Sequence, residues 1–370
     1  MTIKMFLNVS RIFIGLVFIF SGFVKGIDPL GFTYRLEDYF QAFGIPWAIP
    51  FALYLTIFLC TVEFLIGVSL LLNLWISWSA WWLLGFMIFF TCLTFFDAVY
   101  NLVPDCGCFG DAIKLTNLQT FLKNIILMIF VIPVFTGRKK FKNWAPDWAQ
   151  KMFLLIFSLS FMGMSIYCYR HLPIIDFMGW KVGNKINVPA TPLKFYVTYK
   201  NKVTDEEKEY LTPDYPWNDS VWMSQWVFKS QRVVDPAKGQ ALALRVEDEY
   251  GADVSASIVD NPDLQFILVA YDLGKTDTSA FHRILPFYKN ATKEGYSFIC
   301  LTCTLPGDIK KFRIDNGTGF SFYNADDVVL KTMIRSNPGL ILIRNGIVLA
   351  KWPFRNFPSY EKVMEKFRNP

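Results

Sequence analysis

The chain has 370 residues, 53% of them hydrophobic and 18% aromatic, with a positive mean hydropathy, which excludes an ordinary soluble enzyme and points to a membrane protein with a soluble part. Its net charge of +6 is modest, and without zinc-finger spacing, an RNP motif or a basic stripe in its soluble half, no nucleic-acid partner is expected. Seven cysteines and two histidines are too few for a disulfide-stapled framework or a histidine-based metal centre, so no metal is expected either.

In chain order, the apolar run over residues 9–24 carries only Ser10, Arg11 and Ser21 as polar interruptions. It predicts a first membrane helix, with Arg11 and Lys25 snorkelling to opposite interfaces. A cleaved signal peptide would require an Ala-x-Ala-like site, whereas Lys25-Gly26-Ile27-Asp28-Pro29 follows. Residues 30–40 alternate apolar and charged groups at helical spacing and predict an amphipathic helix lying on the bilayer, ended by Gly44 and Pro46. Further spans are predicted at 51–74, 77–100, 118–135 and 152–169. No internal repeat of fixed period is apparent.

Orientation follows from the basic residues. Arg138-Lys139-Lys140-Phe141-Lys142, Lys4 and Arg11 belong on the cytoplasmic side, and five crossings satisfy all of them. Counting spans puts residues 101–117 and everything after Arg170 on the opposite side. In a bacterial inner-membrane protein that side is the oxidising periplasm.

Between the third and fourth spans stands Asp105-Cys106-Gly107-Cys108-Phe109-Gly110-Asp111. Gly107 permits the tight backbone that paired neighbouring sulfurs need, and Gly110 is a second structural position. Cys106 and Cys108 are the candidate redox pair, since a three-residue loop closes under strain and strained, exposed disulfides are the labile ones. The bland reading is a structural clip, or two thiols that pair elsewhere. Asp97, Asp105 and Asp111 flank the pair and are expected to disfavour a thiolate by like-charge repulsion.

Glu63 falls about 18 Å along its helix from Phe51, close to mid-bilayer, at about 1.5 Å per residue. A carboxylate there is costly and is a functional candidate, as a proton carrier or an orienting group for a quinone-like acceptor. It also reads as an ion-paired packing residue, with Arg11 the leading partner and Lys25 the alternative. Cys300 and Cys303 read as core, because residues three apart on a regular strand face opposite sides. Cys60 and Cys92 read as membrane packing, Cys168 as a weak candidate for a resolving thiol. His171 lies just beyond the last span, and His282 reads as a helix-surface residue.

After residue 171 the chain becomes polar and strand-rich, as in Leu193-Lys194-Phe195-Tyr196-Val197-Thr198-Tyr199. A helix-prone stretch near 232–250 ends at Gly251. Then come a buried strand at 266–271, a helix at 279–293, a strand at 297–302, a short connection, and a helix at 328–334. A strand at 339–344 and a return strand at 347–352 are joined by Asn345-Gly346, the strongest hairpin signal in the chain. The pattern predicts an α/β layer fold with helices covering a mixed sheet.

Residues 8–136 resemble the DoxX-like membrane family, in particular its MauE branch. The resemblance rests on the opening segment from Arg11 to Lys25, on Glu63 followed by Gly67, and on Cys-Gly-Cys-Phe-Gly at 106–110. It implies a membrane-embedded thiol site, in proteins associated with methylamine utilisation and with maturation of a disulfide-rich periplasmic dehydrogenase subunit. The last hundred residues resemble a TlpA-type thioredoxin fold, with Asn337-Pro338 where thioredoxins place a cis-proline. Leu273-Gly274-Lys275-Thr276-Asp277-Thr278 stands where that family has Cys-x-x-Cys, which implies a redox-inert module.

The expected organisation is a membrane bundle at 1–136, a basic cytoplasmic loop at 137–151, a fifth span at 152–170, a strand-rich periplasmic segment at 171–262 and a degenerate thioredoxin-like domain at 263–370. The function expected is that of an inner-membrane thiol–disulfide factor assisting the maturation of exported proteins. Its partners would be lipid and a periplasmic protein; no cofactor is evident, a quinone being the one to consider. The alternative is a non-catalytic envelope scaffold.

Overall fold

The computed structural model describes residues 3–103, 106–141, 145–186, 194–211, 216, 219–234 and 244–368. Helix α1 (Ile3–Ile27) is followed by α2 (Pro29–Ala42), whose start is fixed by Asp28 accepting from the Gly31 amide and by Pro29 in the first turn. A 3-10 turn (Pro46–Phe51) leads into α3 (Ala52–Leu72). A tight turn with Asn73 and Trp75 at positive φ reverses the chain into α4 (Ile76–Tyr100). Helix α5 (Asn117–Thr136) opens with a capping box between Thr116 and Gln119, and α6 (Asp147–Arg170) follows.

The five long helices α1, α3, α4, α5 and α6 are long and apolar enough to cross a membrane. Inside the bundle Ile14, Ile66, Leu70, Leu83, Leu127 and Val131 pack together. Phe58, Trp78, Trp82, Phe89, Ile126 and Leu159 point outward, the inverted exposure expected of a lipid-facing surface. The chain is therefore a multi-pass membrane protein. Successive crossings place the loop between α4 and α5, helix α2 and the end of α6 on one side.

Helix α2 does not lie free on the bilayer. It packs against α3 and α6, with Thr33 hydroxyl-bonded to Thr56 at 3.0 Å, and the soluble part covers its other face. The soluble part begins with a linker that runs beside β9, where the Gly183 amide donates to the Val348 carbonyl, the Val348 amide donates to the Asn184 carbonyl, and Trp180 is buried. Strands β1 (Lys194–Asn201), β2 (Glu207–Leu211) and β3 (Trp226–Val234), with the short α7 (Ser220–Gln225), form an antiparallel sheet in the order β2-β1-β3. Val197, Tyr199 and Trp226 are its small core.

The remaining elements are β4 (Val246–Glu247), α8 (Ser255–Val259), β5 (Gln265–Val269), α9 (Phe281–Lys293), β6 (Ser297–Thr302), α10 (Pro306–Asn316), β7 (Ser321–Ala325), α11 (Asp327–Met333), β8 (Gly339–Arg344), β9 (Ile347–Pro353) and α12 (Tyr360–Phe367). They build a six-stranded mixed sheet in the order β4-β7-β6-β5-β8-β9, in which β5, β6 and β7 are parallel and β8 and β9 antiparallel. Every residue of β5 is buried, because helices cover both faces of the sheet. The hairpin forms at Asn345-Gly346, both at positive φ, and the Asn337-Pro338 bond is cis.

Three features of this half differ from the sequence expectations. The connection between residues 303 and 327 contains a helix and a strand; α10 buries little besides Phe312, so its sequence carries no apolar stripe to announce it. In the described part of the stretch near 232–250 there is no helix: residues 232–234 and 246–247 are strand, because β3 pairs with β1 and β4 with β7, and the others are loop or turn; residues 235–243 lie outside the described residues. The sheet also takes in β4, upstream of residue 263.

Candidate functional site

Helix α4 ends at Asn101 in a left-handed cap, and the chain turns back toward α5 through the cysteine loop. Gly107 (φ 63°) and Gly110 (φ 52°) both take the conformation that a side chain resists, and the Gly110 amide donates to the Gly107 carbonyl at 2.9 Å. A Cβ on Gly110 would stand 3.1 Å from Val24, so the loop lies directly on α1. Ser21 of α1 donates to the Cys108 carbonyl at 2.7 Å, and the Phe20 and Phe109 rings meet at 5.6 Å. Held this way, the Cys106 and Cys108 Sγ atoms are 3.2 Å apart as free thiols. Asp105 lies outside the described residues.

The pair is not exposed in the manner the small flanking residues lead one to expect. Cys106 is 3% exposed and Cys108 is half-buried. Their electrostatics differ. Cys108 is brought down to about 6, first by the hydrogen bond from the Cys106 thiol, then by Lys123 and Lys25, against the opposing effect of burial. Cys106 is pushed up because that hydrogen bond and its burial hold its proton. Of the described flanking carboxylates, Asp97 bears on Cys106 and Asp111 is engaged by a cation, and the negative charge settles on Cys108. The Tyr39 hydroxyl lies between Asp97, to which it donates at 2.5 Å, and the Cys106 thiol.

Lys25 does not snorkel. It is buried and pairs with Glu63 at 2.5 Å, its ammonium also lying 4.9 Å from the Phe32 ring centre. Arg11, the leading candidate partner for Glu63, instead donates to the carbonyls of Leu70 and Leu71 at the opposite end of the bundle. Two residues 38 apart in sequence are opposed because α1 and α3 pack tightly along their length, with Gly15, Gly22 and Gly67 at the seam, and the pair can be buried because each charge meets its opposite.

Cys106, Cys108, Lys25, Glu63 and Lys123 line a partly open cavity of about 40 Å³, walled by Phe18, Phe32, Phe86 and Phe90. That volume takes water-sized occupants.

The other sequence candidates lie apart from the pair. Cys60 is buried in the bundle, Cys92 faces outward, and Cys168 is buried on α6 without reaching the cavity. Cys300 is buried in β6, and Cys303, at the strand exit, donates to the Tyr271 carbonyl at 2.8 Å. His282 is exposed on α9. His171 is stacked on Tyr167 with ring centres 4.2 Å apart. Among the described residues no group of three His, Cys, Asp or Glu side chains could hold a metal ion.

What covers the loop has no local signal in the chain. Arg335, three residues before Pro338, points its guanidinium at Asp28 (2.9 Å) and Asp111 (2.7 Å), and its remaining nitrogen at the Lys331 carbonyl (2.6 Å). The three charged side chains are 5%, 16% and 15% exposed. Beside them the Tyr34 and Tyr271 hydroxyls meet at 3.2 Å, and burial pushes both phenols up. The segment that carries Leu273–Lys275 is tied to Pro338's loop through Thr276 and Asn337, whose side chains bond at 3.0 Å. This face of the soluble part is the one turned onto α2 and the cysteine loop. Lys25, Lys123, Tyr39, Asp28 and Arg335 were not marked as a group by any spacing in the sequence; they meet only in three dimensions.

Compared with known proteins, residues 3–136 match the family described as methylamine utilisation protein MauE. The match takes in the first four spans, α2 and the whole cysteine loop, and ends before α6. No curated protein matches the chain. The membrane bundle is thus similar to MauE, and the α6 anchor and the soluble part lie beyond the similarity.

Proposed function

We propose that this MauE-like membrane protein is a thiol–disulfide factor of the bacterial inner membrane, exchanging disulfides with exported proteins through Cys106 and Cys108 on the periplasmic side. The observation that carries it is the 3.2 Å sulfur pair with the proton held on Cys106 and the charge on Cys108. In the exchange, the Cys108 thiolate attacks one sulfur of a partner's disulfide, forming a mixed disulfide and releasing the partner's other sulfur as a thiolate. Cys106 then gives up its proton and attacks the Cys108 sulfur. The Cys106–Cys108 disulfide forms, the partner leaves as a dithiol, and two electrons have passed to the partner. Run in reverse, the same steps oxidise the partner, and the potential of the pair relative to the partner's sets the direction.

The soluble part fits the role of a thioredoxin-like but redox-inert cover. Strand order, the position of Pro338 and the absence of cysteine from 273–278 support that reading. Its place over the loop supports a partner approaching at the rim of the Arg335 contact. Solvent extraction of the purified protein tests directly for a quinone-class acceptor.

The deciding experiment traps the thiols in cells with an alkylating mass tag, in the wild type and in Cys106→Ser. Expected are a mixture of oxidised and reduced pair in the wild type and, in the variant, a mixed disulfide or an altered redox state of an exported protein. If the pair stays reduced under oxidising growth and replacing both cysteines changes no partner, the protein is the non-catalytic envelope scaffold instead. Methylamine-dependent growth of the double variant tests whether the function extends to methylamine metabolism.

A further inference from the structure

We infer that the cleft between the outer end of α6 and the soluble part binds the phosphate group of an anionic phospholipid. The cleft has a volume of about 590 Å³, within the range of ligand sites. Arg170 and His171 line it from the α6 side, and Arg283 and Arg355 from the soluble side. Among the described residues none of the three arginines pairs with a carboxylate, so three guanidinium charges face one space without a counter-ion.

Arg283 is anchored, its Nη atoms donating to the carbonyls of Phe354 (2.9 Å) and Arg355 (3.3 Å), while its buried Nε has no partner. That Nε is closed to solvent, so an anion in the cleft would meet the Nη groups of Arg283 rather than its Nε. Arg355 lies against the Tyr169 and Phe354 rings, with its guanidinium carbon 5.2 and 4.3 Å from their centres. Aromatic faces of this kind orient a planar cation while leaving its edge free for oxygen acceptors.

The inner wall says why the anion should be a lipid. It consists of Gly163, Ile166 and Tyr167 within the membrane span of α6, with Ile166 and Tyr167 exposed. Nothing lies within 4 Å of where a Gly163 side chain would stand, which leaves room for an acyl chain. From Gly163 to Arg170 the helix rises about 10 Å, so a molecule entering from the bilayer meets apolar wall first and guanidinium groups next.

The test uses the full-length protein in detergent, titrated with phosphatidylglycerol, phosphatidylcholine or inorganic phosphate and read by native mass spectrometry and thermal shift. Expected is retention of phosphatidylglycerol over phosphatidylcholine, weakened about fivefold by Arg170→Gln and again by Arg355→Gln. Arg170 is exposed, so its variant keeps the fold even if the second does not. Gly163→Leu, which adds no charge, should weaken phosphatidylglycerol binding by filling the apolar wall. Equal retention of both lipids, or no effect of Arg170→Gln, would overturn the assignment. Stabilisation by inorganic phosphate with Gly163→Leu silent would overturn the lipid in favour of a soluble anion.

Discussion

Arg335 pairs with Asp111 at 2.7 Å across 224 residues of chain, and the same guanidinium holds Asp28. One cation thus ties the last residue of the cysteine loop, the cap of α2 and the loop before Pro338. The consequence is that access to the thiols depends on a contact far from them in sequence.

Arg335→Gln leaves two buried carboxylates facing one another with no cation, a change that costs about 3–5 kcal/mol. The soluble part should loosen from the bundle. The melting temperature of the purified protein is expected to fall, and a membrane-impermeant maleimide should label Cys106 and Cys108 faster than in the wild type. Asp111→Asn should do less, since Asp28 keeps its partner. Unchanged labelling in Arg335→Gln would mean that the soluble part does not shield the pair.

Cys108 should behave as the nucleophile, with a pH profile to match. Its folded value of about 6 lies below that of an unfolded thiol, so the thiolate is present above that point and is lost as pH falls through it. Alkylation of the reduced protein by iodoacetamide should be half-maximal near pH 6. Cys106→Ala removes the hydrogen bond that contributes most to the depression, and the midpoint should then move up toward the ordinary thiol range. Mass mapping that found Cys106 modified first, or a midpoint indifferent to Cys106→Ala, would reverse the two roles.

The sequence disclosed the spans and the hairpin because long apolar runs and Asn345-Gly346 are local signals, complete within a short window. It disclosed the cysteine pair for the same reason. Lys25 was named only as the alternative partner of Glu63, behind Arg11, because snorkelling is the default for a lysine at a helix end and only the packing of α1 on α3 brings Glu63 within its reach. Arg335 was invisible: an arginine in a loop reads as solvated until two carboxylates from elsewhere in the chain close around it. Helix α10 was missed for a simpler reason, its face being almost entirely polar.

The Lys25–Glu63 pair should prove more harmful to break than to remove. Lys25→Met strands a carboxylate inside the bundle and is expected to lower stability by about 3–5 kcal/mol, whereas Lys25→Met combined with Glu63→Leu should recover much of the loss. Thermal melts of the two single variants and the double variant form the cycle that measures this. Because Lys25 also helps hold the charge on Cys108, the Lys25→Met single variant should shift the alkylation midpoint upward. A double variant no more stable than Lys25→Met would show that the pair does not act as a unit.

Close contact between α1 and α3 underlies all of this, and Gly67 is where it can be tested. A Cβ there would stand 2.6 Å from the Ile19 amide nitrogen and 2.8 Å from the Gly15 carbonyl oxygen, both backbone atoms that cannot swing aside. Gly67→Ala should force the helices apart and cost about 1–3 kcal/mol. The shift should reach the site, because Lys25 and Glu63 sit on the same two helices; the variant should melt earlier and show a higher alkylation midpoint for Cys108. Gly85 on α4 has nothing within 4 Å of its Cβ position, so Gly85→Ala is the control and should leave both readouts unchanged. Equal melting temperatures for Gly67→Ala and Gly85→Ala would mean that the two helices are held apart by more than the glycine contact allows.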